Sequence, residues 1–256
     1  QFYPERRVQG FHTQDELELM IKRRRDRLDL RNFSINKDIA GRAYQMQAIQ
    51  HLAENYNTVH NGKLRGKNRE ALFVMATGSG KTRTAAAVVD MMTKSNWVKR
   101  VLFLADRNAL VTQAKKAFGE HLPDLSSIDL TKEKEDNNTR LVFSTYPTMM
   151  NKIDGVKNAD ERFYGIGHFD LIIVDEAQNV THPQMETVIG RLGKNSKMCI
   201  CGDMAQIDLR DKRETGFSFL SRLEEQVKGF VTHSLAQNHR HDIVAPLLEV
   251  YKTFRD

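Results

Sequence analysis

The sequence predicts an α/β domain, a three-layer sandwich in which a parallel sheet lies between two layers of helices. Short apolar segments alternate with helical stretches, a pattern that is typical of parallel strands covered on both faces. The first of these strands breaks into a glycine-rich turn that opens a helix, and a later strand ends in two acids. Because the carboxyl ends of parallel strands meet at one edge of a sheet, we expect both features to lie together there. The predicted strands are residues 71–76, 101–105, 141–145, 171–174, 198–201 and 230–232.

Composition is that of a globular protein, with 256 residues, 40% hydrophobic and 28% charged. The apolar runs are all shorter than the roughly 18 residues of a membrane span, and the first residues lack the pattern of a signal peptide, so we expect a cytoplasmic chain with no membrane partner. Cys199 and Cys201 lie in one predicted strand and are expected to be core residues in a reducing compartment. The net charge of +6 favours a polyanionic partner only mildly, since nucleotide binding and solubility account for it almost as well.

Residues 1–42 are interpreted as a helical lead-in, and residues 43–256 as the main domain. The basic run 22–27 lies in the lead-in at the end of a predicted helix. It is expected either to contact a nucleic-acid backbone or, in the simpler reading, to form the solvated face of that helix. A second helix begins near Arg42, and the polar stretch 57–70 is expected to be a surface loop.

The glycine-rich turn has the features of a phosphate-binding loop. Gly78 and Gly80 let the backbone wrap an anion, Lys81 supplies a positive charge, and the Thr82 hydroxyl suits Mg²⁺. Met75 stands where the usual pattern has a glycine. The predicted nucleotide-binding residues of this loop are Thr77, Gly78, Ser79, Gly80, Lys81, Thr82 and Arg83.

The second half of the predicted site follows the strand at 171–174. We expect Asp175 to hold the metal, directly or through water, and Glu176 to orient and deprotonate the attacking water. Gln206 follows the next strand and is the predicted sensor of ATP against ADP. Together with the phosphate loop, these residues predict ATP and Mg²⁺ as cofactors.

With these motifs in place, residues 1–177 resemble the motor subunit of type I restriction enzymes. The matching segments are Phe2-Tyr3-Pro4, Arg6-Arg7, Ala40-Gly41-Arg42-Ala43-Tyr44-Gln45 and the runs 75–84, 100–110, 143–151 and 167–177. The resemblance implies a RecA-like P-loop NTPase domain of helicase or translocase type. It also implies that Gln45 reads the adenine edge, and that Arg107, Asn108, Thr145 and Tyr146 face the DNA backbone. The alternative for these last four is that they are ordinary polar residues at strand ends.

From Asp175 onward the chain is instead similar to the PhoH-like ATPases. The matching segments are Asp175-Glu176-Ala177-Gln178-Asn179, Pro183-Gln184-Met185, Arg191-Leu192-Gly193, Ser196-Lys197-Met198, Gly202-Asp203, Gln206-Ile207-Asp208-Leu209 and the run 238–244. The restriction motors have a histidine where this chain has Gln178. We therefore hypothesise a hybrid joined at Asp175-Glu176-Ala177, with residues 43–177 from one pattern and residues 178–256 from the other.

The predicted function is Mg²⁺-dependent ATP hydrolysis by a single RecA-like domain that binds nucleic acid, with DNA favoured over RNA. The restriction motors complete their site with an arginine from a second motor domain. Such an arginine is expected here in trans, from another domain or from a homo-oligomer. The candidates are Arg240 and Arg210, with the alternative that they are surface charges, which is favoured for Arg210. Two alternatives remain open: an ATP-binding module with little turnover that lacks its second motor domain, and an α/β scaffold without activity.

Overall fold

The computed structural model describes most of the chain between residues 14 and 235. The described residues are 14–68, 70–75, 78–134, 138–153, 156–158, 161–162, 164, 168–190, 192, 196–203, 207, 209, 215–220, 226–227 and 229–235. The helices are α1 Gln14–Arg25, α2 Ala43–Tyr56, α3 Lys81–Lys94, α4 Asn108–His121, α5 Tyr146–Ile153, α6 His182–Gly190 and α7 Phe217–Leu220. The strands are β1 Asn57–His60, β2 Lys63–Gly66, β3 Glu70–Met75, β4 Val101–Ala105, β5 Ser127–Asp129, β6 Leu141–Thr145, β7 Val156–Asn158, β8 Glu161–Arg162, β9 Leu171–Val174, β10 Lys197–Gly202 and β11 Phe230–Leu235.

Seven strands form one parallel sheet in the order β11-β3-β10-β9-β4-β6-β5. All the predicted strands belong to it, and β4, β6 and β9 have the predicted bounds. The short edge strand β5 was not predicted, because three residues are too few to show a pattern. The predicted fold class, an α/β domain built on a parallel sheet, is confirmed.

Alternation along each strand sends side chains to two hydrophobic layers, one on each face of the sheet. On one face, Phe73 and Phe103 pack in a cluster with residues of α2, α3 and α4. On the other, Leu72 and Leu102 pack with residues of α5, α6 and α7. The sheet is therefore the middle of three layers, as predicted.

The stretch 57–70, expected to be a loop, contains an antiparallel hairpin of β1 and β2. Asn61 and Gly62 form its turn, with φ angles of 51° and 69°. Asn-Gly is the preferred pair for a tight hairpin turn with two left-handed residues, since glycine carries no Cβ and asparagine tolerates that region. The expectation of a plain loop was wrong. The Asn-Gly pair in the sequence indicates a hairpin and was not taken into account.

The lead-in divides into an exposed part and a buried part. Helix α1 exposes Leu17, Leu19 and Ile21, whereas Leu30 and Ile39 are buried in the core cluster that α2 and α3 share. The second half of the lead-in, which contains Leu30 and Ile39, thus contributes to the main core. The division of the chain at residue 42 stays a prediction. Over the ranges given above, no helix combines the length and apolar character that crossing a membrane requires.

Strand β10 lies between β3 and β9 and pairs with both. Cys199 stands opposite Ala71 of β3 and opposite Ile173 of β9. Both cysteines of the chain are free and buried, as expected of core residues. The strand that follows the hypothesised junction is therefore an internal strand of the sheet, flanked by two strands that precede the junction.

Candidate nucleotide-binding site

The phosphate loop joins the carboxyl end of β3 to the start of α3. Gly78 and Gly80 have φ angles of 80° and 86°, a region in which a side chain is strained. Gly80 also lies so close to α2 that an added Cβ would stand 2.5 Å from Gln45 Nε2. Both glycines are thus required by the backbone conformation, and Gly80 by close packing as well.

Two side chains at the start of α2 hold this loop. The Tyr44 hydroxyl donates to the Ser79 carbonyl at 2.6 Å, and Gln45 Nε2 donates to the carbonyls of Ser79 at 3.1 Å and Gly80 at 3.4 Å. Arg42 donates its backbone N–H to Gln45 Oε1 at 3.4 Å, which fixes the direction of the amide. Tyr44 was missed as a site residue, and the proposed contact of Gln45 with adenine stays a prediction.

Lys81 begins α3, and its side chain is buried, with 8% of it exposed. Its Nζ lies 2.9 Å from Glu176 Oε1, an ion pair that joins the phosphate loop to the end of β9. Within the described ranges, Nζ makes no hydrogen bond of regular geometry. Thr82 is half-buried beside it, while Arg83 is exposed and donates to the Asp38 carbonyl at 3.0 Å.

Asp175 directly follows β9 and is buried. Its backbone is fixed on both sides, because its N–H donates to the Leu104 carbonyl at 2.8 Å and its carbonyl accepts the Tyr146 hydroxyl at 3.0 Å. The pKa of the Asp175 carboxyl is raised to about 7, first by burial and then by the negative charge of Glu176, while Lys81 opposes both. The buried carboxylate therefore lacks enough positive charge around it.

Glu176 has a left-handed backbone, with φ 52° and ψ 41°. A non-glycine residue in that region is strained unless its surroundings hold it, and such strain clusters at functional sites. Gln178 supplies part of that support, because its Nε2 donates to Glu176 Oε2 and its Oε1 accepts the backbone N–H of Asp203 at 3.0 Å. Gln178 is fully buried and links the end of β9 to the end of β10. As a contact of Glu176, it was missed from the sequence.

A third acid, Asp106, lies at the same edge, after β4. Burial raises its pKa, while Arg107, with Nε at 3.3 Å, and Asn179, donating at 3.3 Å, lower it. The sequence contained a signal for this residue, since an acid directly after a buried strand resembles the arrangement that singled out Asp175. The carboxyl ends of β4 and β9 thus bring three carboxylates, Asp106, Asp175 and Glu176, into electrostatic contact.

The four residues predicted to face DNA differ in exposure. Arg107 and Asn108 are exposed at the start of α4. Thr145 and Tyr146 are buried, and Thr145 Oγ1 donates to Thr148 Oγ1 at 3.0 Å. Contact with DNA stays a prediction for all four. Four further residues considered for the site, Thr77, Gln206, Arg210 and Arg240, lie outside the described residues.

Comparison with known proteins shows the family of this chain. The family model described as type III restriction enzyme, res subunit, matches residues 38–200, more than half of the chain. The chain belongs to this family. The model for the PhoH-like protein matches residues 168–252 of this res-subunit family member, so the two matches overlap at 168–200. Both families are of the P-loop NTPase type, in agreement with the predicted class.

Curated relatives of this res-subunit family member fall into the same two groups, restriction enzyme subunits and PhoH-like proteins. An Escherichia coli type I restriction enzyme EcoAI endonuclease subunit is 35% identical over 141 residues, 53% of this chain and 15% of that one. A PhoH-like protein from Bacillus subtilis is 39% identical over 82 residues, 31% of this chain and 26% of that one. The two-part resemblance predicted from the sequence is confirmed. The chain spans about a quarter or less of the length of these relatives.

A solved structure agrees with the fold. The helicase domain of Pyrococcus furiosus Hef superposes with a TM-score of 0.53 at 20% identity, covering 80% of this chain and 41% of that one. At this identity the likeness bears on the fold alone. With the parallel sheet and its flanking helices, it confirms the predicted RecA-like architecture of this res-subunit family member.

Proposed function

We propose that this chain is a Mg²⁺-dependent ATPase of helicase or translocase type, whose turnover depends on nucleic acid, DNA in the first place. One observation carries the proposal. Lys81 Nζ of the phosphate loop lies 2.9 Å from Glu176 Oε1 of the acid pair, next to the buried Asp175. All three residues lie at the carboxyl edge of the sheet. Phosphoryl transfer to water requires a phosphate-binding cation, a metal-binding carboxylate and a base for the water, and these three residues are suited to those tasks.

The residues present fit ATP with Mg²⁺. The buried Lys81 ammonium lacks a regular hydrogen bond over the described part of the chain, and a phosphate oxygen would accept one. Burial and a neighbouring carboxylate disfavour the charge on Asp175, and a divalent cation would compensate it. Asp175 and the hydroxyl of Thr82 would hold the metal, since Mg²⁺ binds through few protein oxygens and completes its shell with water and phosphate.

The proposed chemistry assigns a task to each side chain. Lys81 moves from Glu176 to the phosphates, and Glu176 then accepts a proton from the attacking water. Gln178 keeps the Glu176 carboxylate in place through its amide. Mg²⁺ held by Asp175 and Thr82 would supply positive charge for the phosphates. Gln206 as sensor, Gln45 at the adenine and Arg240 acting in trans complete the proposed site.

Nucleic acid is proposed as the partner because of the relatives and of two exposed residues. A curated relative is named as a type I restriction enzyme endonuclease subunit, and an endonuclease acts on nucleic acid. Arg107 and Asn108 are exposed at the carboxyl edge of the sheet, next to the proposed ATP site. A nucleic-acid backbone bound at Arg107 would also influence Asp106 at the end of β4, because Arg107 contacts Asp106.

The test is steady-state ATP hydrolysis by the full chain, alone and with duplex DNA, single-stranded DNA or RNA. Lys81→Ala removes the phosphate-binding charge. Lys94→Ala is the matched control, because Lys94 ends the same helix and pairs only with Asp90 among the described residues. Binding of a labelled ATP analogue is measured for all three proteins.

We expect turnover that rises with one polymer, is lost in Lys81→Ala and is kept in Lys94→Ala. Binding without turnover in the parent, even with each polymer, would support the alternative of an ATP-binding module that awaits a second domain. Absence of both binding and turnover in the parent would overturn the proposed function.

A further inference from the structure

A second charged region lies at the amino edge of the sheet, opposite the phosphate loop. Arg140, Arg100 and Asp170 directly precede β6, β4 and β9, which are neighbours in the sheet. Val101 pairs with Leu141 on one side and Leu171 on the other, so the three preceding residues stand side by side. Adjacent strands are about 4.8 Å apart, which places these residues in a short row.

Asp170 is the acid of this row, and its Oδ2 already accepts three donors. These are the backbone N–H of Lys99 at 2.8 Å, the backbone N–H of Arg100 at 3.0 Å and the Arg23 guanidinium at 3.3 Å. Arg140 instead donates its Nε to the Lys99 carbonyl at 3.2 Å. Asp170 is therefore the one carboxylate of the row, and backbone N–H groups supply two of its three donors.

Helix α1 and the turn after it add further cations to the same place. The Arg27 guanidinium lies 4.3 Å from the centroid of the Trp97 ring, and Trp97 Nε1 donates to the Leu28 carbonyl at 2.8 Å. Arg27 Nε is buried and has no acceptor within the described ranges. Arg24 is exposed on the same helix. The basic run 22–27 is thus divided, with Arg23 and Arg27 turned onto the domain and Arg24 left at the surface.

We name the six cations Arg23, Arg24, Arg27, Lys99, Arg100 and Arg140 the basic edge. Their charges repel one another. The pKa values of Arg27, Lys99 and Arg140 are all lowered, first by burial and then by neighbouring cations of the same group, while Asp170 raises them only in part. The basic edge therefore carries more positive charge than its own carboxylate neutralises, and a bound anion would relieve the repulsion.

We propose that the basic edge binds the phosphodiester backbone of a nucleic acid, as a contact separate from the one at the carboxyl edge. An extended polyanion suits six cations distributed between the starts of neighbouring strands and the end of α1, and five of the six are arginines, which bind phosphate with two parallel hydrogen bonds. Because the basic edge and the ATP site lie at opposite ends of the strands, this contact does not depend on ATP turnover.

The experiment measures binding of the full chain, without nucleotide, to a labelled DNA duplex of about 25 base pairs at several salt concentrations. The test variant is Arg24→Ala with Arg100→Ala, since neither side chain makes an ion pair or hydrogen bond among the described residues. The matched control is Lys116→Ala with Lys134→Ala, which removes two exposed charges from elsewhere on the surface. Arg24→Lys with Arg100→Lys retains the charge.

We expect the test variant to bind DNA at least about tenfold more weakly at 0.1 M salt. The plot of log K against log salt should also become less steep, with a slope smaller in magnitude by about 2. The Lys116/Lys134 control should keep parent affinity, and the lysine variant should recover most of it. An unchanged slope in the test variant would overturn the proposal, as would tighter binding of a polyglutamate peptide of equal charge. ATP-analogue binding by the same variant should be unchanged, so failure here is distinguishable from failure of the ATPase proposal.

Discussion

Lys81 Nζ lies 2.9 Å from Glu176 Oε1, so the lysine proposed to bind phosphate is paired with the carboxylate proposed to activate water. While this pair persists, the lysine ammonium occupies Glu176 Oε1, so that oxygen is not available to an attacking water. A phosphate would compete for the lysine and release the carboxylate. The same event would thus bind the nucleotide and prepare the base for catalysis.

Glu176→Gln tests this arrangement. We expect ATP hydrolysis to fall about 10²- to 10⁴-fold, since an amide cannot act as a general base. Binding of ATP should be kept or tightened, because Lys81 loses its competing partner. Glu186→Gln, on the exposed face of α6, is the control and should retain parent turnover. Parent-level turnover in Glu176→Gln would exclude this residue as the base.

Gln178→Ala removes the amide that joins Glu176 to the backbone N–H of Asp203. We expect hydrolysis to fall about tenfold or more, because a carboxylate displaced by about 1 Å loses its alignment. The dissociation constant of an ATP analogue should change little. Gln113→Ala, at an exposed position of α4, provides the comparison. An equal loss of binding and turnover would show that Gln178 supports the fold rather than the position of Glu176.

Tyr146→Phe removes the hydroxyl that donates to the Asp175 carbonyl at 3.0 Å and keeps the ring. The buried carbonyl then loses one of its donors, so the free energy of unfolding should fall by about 1 to 2 kcal/mol in urea titrations. Affinity for DNA should be unchanged if the hydroxyl serves the fold. A fall in DNA affinity with unchanged stability would support the DNA contact expected from the sequence instead.

Asp29→Asn gives a prediction for pH. The Asp29 carboxylate accepts Arg31 Nε at 2.9 Å and Asn57 Nδ2 at 2.9 Å, and these contacts, the Arg31 ones first, hold its pKa well below the ordinary value. A lowered carboxyl pKa contributes stability that is complete above the ordinary value of about 4 and is lost as the pH falls further. The free energy of unfolding of the parent should therefore be about 1 kcal/mol higher than that of the variant from pH 5 to 8. Below about pH 4 this stability difference should become smaller, as measured by thermal unfolding of both proteins over a range of pH. A difference that grows below about pH 4 would contradict the proposed contribution of the Asp29 carboxylate.

The parts of the site that lie in one continuous segment were predicted from the sequence. The phosphate loop around Lys81 and the acids after β9 were recognised because each is a short motif in a fixed place relative to a strand. Contacts between distant segments were not, as with the Tyr44 hydroxyl on the Ser79 carbonyl. The left-handed backbone of Glu176 was not predictable either, since glutamate has no preference for that region.

The place of β10 in the sheet limits how this chain can be divided or recombined. A fragment ending at residue 190 would retain β3 and β9 but not the strand that joins them, leaving a gap of about 10 Å and two rows of unpaired backbone groups. The two segments that resemble different families are therefore not autonomous folding units. Any exchange of the second segment between relatives replaces an inner strand, and it must preserve the pairing of Cys199 with both neighbours to yield a foldable product.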